Sequence, residues 1–275
     1  MPTLKQIEEI IEQGETLKDI TSALAEISLL KIKRIKSSVE KNIEFGSEIS
    51  SVYSLVRTMA ALKKISLKKP HGTISFLLTS NERFYGNIHT KLVDYFINQT
   101  KNLNSDLAVI GKAGVAFFKA NKTPIKPFIF KDDRPSQVQL KELVSLAKDY
   151  QRILLFYPQL KTLLLQEPSF IDLSQDLADQ NLIQEAKKMF IFEPEIKKMM
   201  EFFDTTILSL LFDTVFLEAE LSRSSSRLIS MDEASHESEK LIKNQKRQKA
   251  QVQSSLRDLS LLENIIARRS LEGQL

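Results

Sequence analysis

The chain contains no cysteine, which excludes disulfides, thiolate metal sites and thiol nucleophiles. Its three histidines, His71, His89 and His236, are scattered without ligand-like spacing, so no metal is expected. No run approaches the roughly 18 uncharged apolar residues of a membrane-spanning helix. The opening MPTLKQIEEIIEQ carries acids where a secretory leader would be apolar, and a cytosolic protein is expected. Proline is absent between Pro2 and Pro70 and again after Pro194. Since a proline inside a helix costs ~3 kcal/mol or more, two long proline-free flanks around a proline-bearing middle predict two long helices enclosing a compact domain.

What remains is a globular composition: 275 residues with 42% hydrophobic side chains suffice for a core. The formal charge of +4 comes from interleaved Lys/Arg and Asp/Glu rather than from a basic block, which disfavours nucleic acid as a partner. In the first flank, Ile10, Leu17 and Leu24 recur at heptad spacing, and Ile20 and Ile27 fill the shorter offset, predicting an apolar seam. In the second, Leu228, Met231, Leu241 and Ile242, then Val252, Leu256, Leu259, Leu262 and Ile266, keep helical spacing across the polar stretch Asn244 to Gln251. Helices of about 50 residues are about 75 Å long, so the two are expected to pack as an antiparallel coiled coil closed at one end by the middle domain. Gly14 is expected to be a tolerated glycine that weakens the first helix by about 1 kcal/mol.

The middle alternates strand and helix signals. TISFLLT (Thr73 to Thr79), DLAVIG (Asp106 to Gly111) and RILLFYP (Arg152 to Pro158) read as buried strands. Helical spacing occupies Ile88 to Asn102 and Ser136 to Gln151, so a largely parallel sheet follows. KTLLLQEP (Lys161 to Pro168) and KMFIFEP (Lys188 to Pro194) are expected to add edge or antiparallel strands.

Candidate chemistry is sparse. DLAVIGKAGVAFFKA (Asp106 to Ala120) has the strand, glycine turn and helix start with which many proteins cradle phosphate. Gly111 is followed by Lys112, Ala113 and Gly114, which lacks both the GxxxxGK-Ser/Thr and the GxGxxG spacing. The glycines are therefore expected to serve a tight turn and close packing, with Phe117 and Phe118 as core anchors. The serines of Ser222 to Ser226 have no histidine placed as a base, and Glu218 and Glu220 fall on different helix faces. No catalytic residue is expected.

Several segments in order resemble the gamma subunit of F-type ATP synthases. DLAVIGKAGVAFF is similar to that family's "hhhIGxKGxxFF", and FEPEIKKMM (Phe192 to Met200) to its "YEPxxxxLL". SRLISMDEASHESEKLIK (Ser226 to Lys243) is similar to "ARMxAMxxATxNAxxLI", matching at Arg227, Met231, Ala234, Leu241 and Ile242. The N-terminal Leu4 to Arg34 follows "LKxIRxRIxSVxxTxKITxAMxMVAxxKLRR", matching at Lys18, Ile20, Thr21, Ala23 and Lys31. The family's glycine-rich turn is reduced to Arg83, Phe84, Tyr85, Gly86 and Asn87.

The resemblance implies an α/β fold: long N- and C-terminal helices in an antiparallel coiled coil (1–69 and 194–275) and a central Rossmann-like α/β foot (70–193). It implies a non-catalytic central stalk of an H+- or Na+-transporting complex on the cytoplasmic face of the membrane, with alpha, beta and epsilon subunits and the membrane c-ring as partners. No cofactor, nucleic acid or directly bound nucleotide is implied. Ring contacts would fall at Lys18, Thr21, Leu24, Arg227, Met231, Arg247, Gln248, Arg268 and Arg269, and a foot contact at Glu193. The seam would comprise Ile10, Leu17, Ile20, Ile27, Leu256 and Leu259. A gamma-like subunit serving a repurposed ATPase-driven machine is the alternative.

Overall fold

A computed structural model describes residues 3–62, 72–82, 84–173 and 195–272. Helix α1 (Leu4–Leu62) and helix α5 (Ile196–Glu272) flank the series β1 (Thr73–Leu78), α2 (Ile88–Thr100), β2 (Ser105–Ile110), α3 (Lys112–Ala120), β3 (Lys126–Phe128), α4 (Gln137–Ala147), β4 (Arg152–Leu160) and β5 (Gln166–Asp172). Two compact units result: Met1–Ile27 with Leu228–Leu275, and Ser28–Arg227.

The larger unit holds a five-stranded sheet of order β3-β2-β1-β4-β5. β1 is parallel to both β2 and β4, β2 is parallel to β3, and only β5 is antiparallel, to β4. Successive strand residues point to opposite faces, and both faces are covered, which is why the central strands are largely apolar, the buried Ser75 being satisfied by the Ser105 hydroxyl at 3.1 Å. Ile74, Phe76 and Leu78 with Leu155 pack against Leu143 and Val144 of α4 and Phe212, Val215 and Phe216 of α5. Leu77, Val109, Leu154 and Phe156 face Leu92 and Phe96 of α2 and Phe118 of α3. The C-terminal helix is thus a layer of the sheet core as well as a flank. Phe212, fully buried and edge-on to Phe76 at 5.4 Å, is the keystone: Phe212→Ala is expected to lower unfolding free energy by about 3–5 kcal/mol in a denaturant titration.

The expected strand at Lys161 to Pro168 is displaced. Lys161 to Leu165 form the turn of the β4–β5 hairpin, with the Lys161 amide donating to the Leu165 carbonyl at 3.0 Å, and β5 begins only at Gln166. The short strand β3 had no sequence signal beyond Pro127 beside Phe128. Phe118 is buried as expected, whereas Phe117 is exposed because it lies on the outer face of the short α3. The stretch Lys188 to Pro194 lies outside the described residues.

In the smaller unit α1 and α5 run in opposite directions. Glu8 pairs with Lys249 at 2.8 Å, Glu15 with Lys246 at 2.8 Å, and Lys18 with Glu239 at 3.3 Å. The seam differs from the expected one. Ile7, Ile11, Gly14 and Thr21 face inward, against Met231, Ser238 and Ile242 on α5. Leu17, Ile20 and Ile27 are 50%, 52% and 48% exposed, and Leu256 and Leu259 are 52% and 57% exposed; Ile10 is half-buried. The physical reason is a choice between two heptad frames three residues apart. The frame through Gly14 and Thr21 carries small side chains, which let the helix backbones approach closely, and the bulkier frame is turned outward. Ser22 and Ser235 meet hydroxyl to hydroxyl at 3.2 Å. A Cβ on Gly14 would sit 2.9 Å from Cγ1 of Ile242, so this glycine is a packing requirement rather than a tolerated substitution.

Candidate functional site

The carboxyl ends of the parallel strands are where sheets of this type bind ligands. Here that edge is filled by the chain itself. The amide of Gly111, at φ +98, donates to the Phe128 carbonyl at 2.9 Å, and those of Lys112, Ala113 and Gly114 donate to Asn81 Oδ1, the Ser80 carbonyl and Thr79 Oγ1 at 2.9, 3.1 and 3.0 Å. A phosphate at a helix start needs those donors free. Thr79 in turn donates from Oγ1 to the Ile110 carbonyl at 2.6 Å, which locks the β1 end to β2. The glycine turn is scaffolding that seats α3 against Thr79.

Beside it, α5 brings two arginines to the loop after β1. Arg227 Nη2 lies 2.7 Å from Glu82 Oε2, and its guanidinium stands 4.1 Å over the Tyr85 ring. The Tyr85 hydroxyl lies 3.0 Å from Glu82 Oε2 and 3.1 Å from Asp133 Oδ2, with one proton to share between the two carboxylates. Ser226 Oγ donates to the Tyr85 carbonyl at 2.8 Å, and Lys31 of α1 reaches Glu82 at 3.6 Å. Desolvation works to raise the Glu82 pKa, but the Arg227 hydrogen bond, the Lys31 and Arg227 charges and the Tyr85 hydroxyl together hold it below the usual carboxylate range. Burial, reinforced by Asp133, raises that of Tyr85.

Burial, with the Arg223 charge adding to it and Asp133 opposing, pushes the His89 imidazole down to about 4. Unfolded, the ring takes up its proton near 6.5. The stabilising difference is therefore full above about pH 6.5 and is lost as pH falls toward 4, by about 2 kcal/mol between pH 6.5 and 5. A melting series over that window is expected to slope downward for the native chain and to flatten for His89→Gln.

The order of elements agrees with the comparison to known proteins. A family profile described as ATP synthase matches residues 3–253. The chain belongs to the ATP synthase family. The ATP synthase gamma chain of Mycoplasma mycoides subsp. mycoides SC is 23% identical over 254 residues, 88% of this chain and 89% of that one. That of Trichlorobacter lovleyi is 22% identical over 297 residues, covering 99% and 100%. Among solved structures, a chain of the Euglena gracilis mitochondrial ATP synthase superposes with a TM-score of 0.65 at 15% identity, covering 96% of this chain and 94% of that one. A chain of the Tetrahymena thermophila central stalk and c-ring gives 0.60 at 19%, covering 78% and 99%. Within the ATP synthase family this is a gamma-like central-stalk chain, with the expected α/β class and long terminal helices.

The residues expected to meet a ring divide by burial. Lys18 is half-buried in its pair with Glu239, and Leu24 is half-buried. Arg247 and Gln248 are exposed, and Arg247 lines a groove of 790 Å³ shared with Lys18, Lys243 and Lys246. Thr21, Arg227 and Met231, at 4%, 6% and 8% exposure, are not surface residues. Thr21 hydroxyl bonds back to the Leu17 and Lys18 carbonyls, Met231 fills the helix seam, and Arg227 is committed to Glu82 and Tyr85. Arg268 and Arg269 fall within α5 near its end, and Glu193 lies outside the described residues. Glu82, Asp133 and Arg223 carry no individual signal in the sequence, because their significance comes from α5 crossing segments 90 or more residues earlier in the chain.

Proposed function

We propose that the chain is the rotor shaft of an F-type ATPase, with segments 1–69 and 194–275 as the arm and 70–193 as the foot. Its arm stands in a ring of alternating alpha and beta subunits and presents unequal faces to the catalytic beta subunits, favouring a different open or closed state in each as it turns. The chain supplies no catalytic group. Its foot meets the epsilon subunit and the membrane c-ring on the cytoplasmic face, and Glu193 belongs to that contact.

The observation that supports this most strongly is the outward apolar frame. Leu17, Ile20 and Ile27 on α1 are half exposed while Gly14 and Thr21 are buried. On α5, every side chain from Ser254 to Ile266 is exposed, including Leu256, Leu259, Leu261, Leu262, Ile265 and Ile266. A helix apolar around most of its circumference belongs in a protein sleeve. Arg247, Arg268 and Arg269 add cations suited to acidic beta loops, whose contribution is steering as much as affinity, and Gln248 adds a neutral hydrogen-bonding amide.

Co-purification of the tagged chain from its native cells, with subunit identification and an ATPase assay, tests this. Recovery of alpha, beta, epsilon and c subunits is expected. Alpha- and beta-like partners without a membrane ring would mark a repurposed ATPase, and an intact complex lacking both would overturn the rotor assignment. Ion flux in vesicles holding the complex, measured with and without sodium, would assign H+ or Na+.

A further inference from the structure

Two arginines one turn apart on α5, Arg223 and Arg227, are 1% and 6% exposed. Burying a guanidinium costs several kcal/mol unless close partners compensate. Arg227 has such partners in Glu82 and the Tyr85 ring. Arg223 is held far less well: the Asp133 carboxylate stands 3.9 Å from its Nε, and Nε, Nη1 and Nη2 all lack a hydrogen-bond partner among the described residues. A methionine would occupy similar volume without that cost, so the charge at this position does not serve stability.

Its surroundings indicate what it does serve. Glu82 ties together three elements, Arg227 of α5, Lys31 of α1 and Tyr85 of the loop after β1. Asp133 joins that loop through the Asn81 amide at 2.6 Å and Tyr85, and faces Arg223. About three to four turns earlier on α5 a second junction repeats the plan: Asp213 accepts from both Nη2 and Nε of Arg134, the shortest contact being 2.8 Å, and from Asn42 Nδ2 of α1 at 2.8 Å. Between the junctions, Val215, Phe216 and Ala219 make apolar contact with the sheet, and the Glu218 carboxylate bonds to Tyr157 and Gln159 of β4 without a forked ion pair. Apolar contact is non-directional, whereas forked ion pairs and a cation over a ring hold one rotational setting of the helix.

We infer that these two polar junctions, at Asp213 and at Arg223–Arg227, are a rotational lock that fixes α5 in the α/β body and passes torque between them. The torque role rests on the rotor assignment above; the lock itself does not. Because the chain has no cysteine, Lys119→Cys and Glu201→Cys, both exposed and both in the larger unit, accept spin labels without background, and the label-to-label distance distribution reads the setting of α5 in the α/β body of the isolated chain. In Arg223→Met the width is expected to roughly double while the melting temperature stays level or rises. Arg227→Leu is expected to broaden it likewise, and Arg227→Lys to do so less. Unchanged widths in Arg223→Met and Arg227→Leu overturn the lock. In the complex reconstituted in vesicles, Arg223→Met is expected to lower ions pumped per ATP hydrolysed by about twofold with hydrolysis maintained. An unchanged ratio overturns the torque role. Failure of the unsubstituted chain to assemble removes the rotor assignment and the torque role with it, and the label widths still decide the lock.

Discussion

A chain carrying Leu17→Asp, Ile20→Asp and Ile27→Asp together is expected to fold with stability within about 1.5 kcal/mol of the original and to lose affinity for the alpha/beta ring by about 100-fold or more. Each of these side chains already spends about half its surface in water, so charging it removes little from the folded chain. In a sleeve the same positions lose their remaining apolar burial, near 1 kcal/mol each, and place carboxylates against apolar or acidic surface. Thr21→Asp should do the reverse. Thr21 is buried in the seam and its hydroxyl is bonded to α1 carbonyls, so a carboxylate there is expected to cost about 2 kcal/mol or more in folding. Melting curves and ring capture by the immobilised chain, measured on both variants, separate the two frames. Full capture by the triple variant would rule out the outward frame as the ring contact.

Gly111→Ala is expected to be among the most damaging single substitutions in the foot, lowering stability by about 3 kcal/mol or more. Two effects add. The backbone at φ +98 lies where a side chain is strained. The new Cβ would also meet Thr79 at 2.7 Å from Oγ1 and 2.8 Å from its carbonyl carbon and oxygen. A flexible side chain can move aside, but the Thr79 backbone is fixed by its amide bond to the Ile110 carbonyl at 2.8 Å and cannot retreat without parting β1 from β2. A denaturant midpoint unchanged in Gly111→Ala would mean that the turn is not the constraint described.

Much of the fold is legible in proline placement and in the period of the apolar residues. Pro-free flanks mark α1 and α5, and the runs at Ile74, Ala108 and Ile153 mark three parallel strands, because a strand buried on both faces is apolar at nearly every position. The seam was not legible. Large apolar residues are the usual marker of a helix interface, but Gly14, Thr21 and Ser238 were favoured here because small side chains let two helices approach, and the large residues Leu17, Ile20 and Ile27 were left exposed. The hairpin turn was misleading for a related reason: Leu163, Leu164 and Leu165 look like a strand, yet they are exposed at the tip. Arg227 stood out by its motif, whereas its burial and its pairing with Glu82 depend on tertiary approach alone.

The double duty of α5 sets the order in which the protein can be made. During synthesis the sheet emerges from the ribosome with Phe76, Leu78 and Leu155 uncovered, since α4 covers only part of that face and Phe212, Val215 and Phe216 have yet to be translated. The nascent chain must carry this apolar face for the time needed to add roughly 50 residues after β4, a few seconds at ordinary translation rates. Any polypeptide released early, before Ala219, leaves the face permanently open and is a substrate for chaperones rather than for assembly. Synthesis of the first part of the last helix, as far as Ala219, is therefore a built-in checkpoint: a chain cannot bury its sheet until it has begun the helix whose later part pairs with α1.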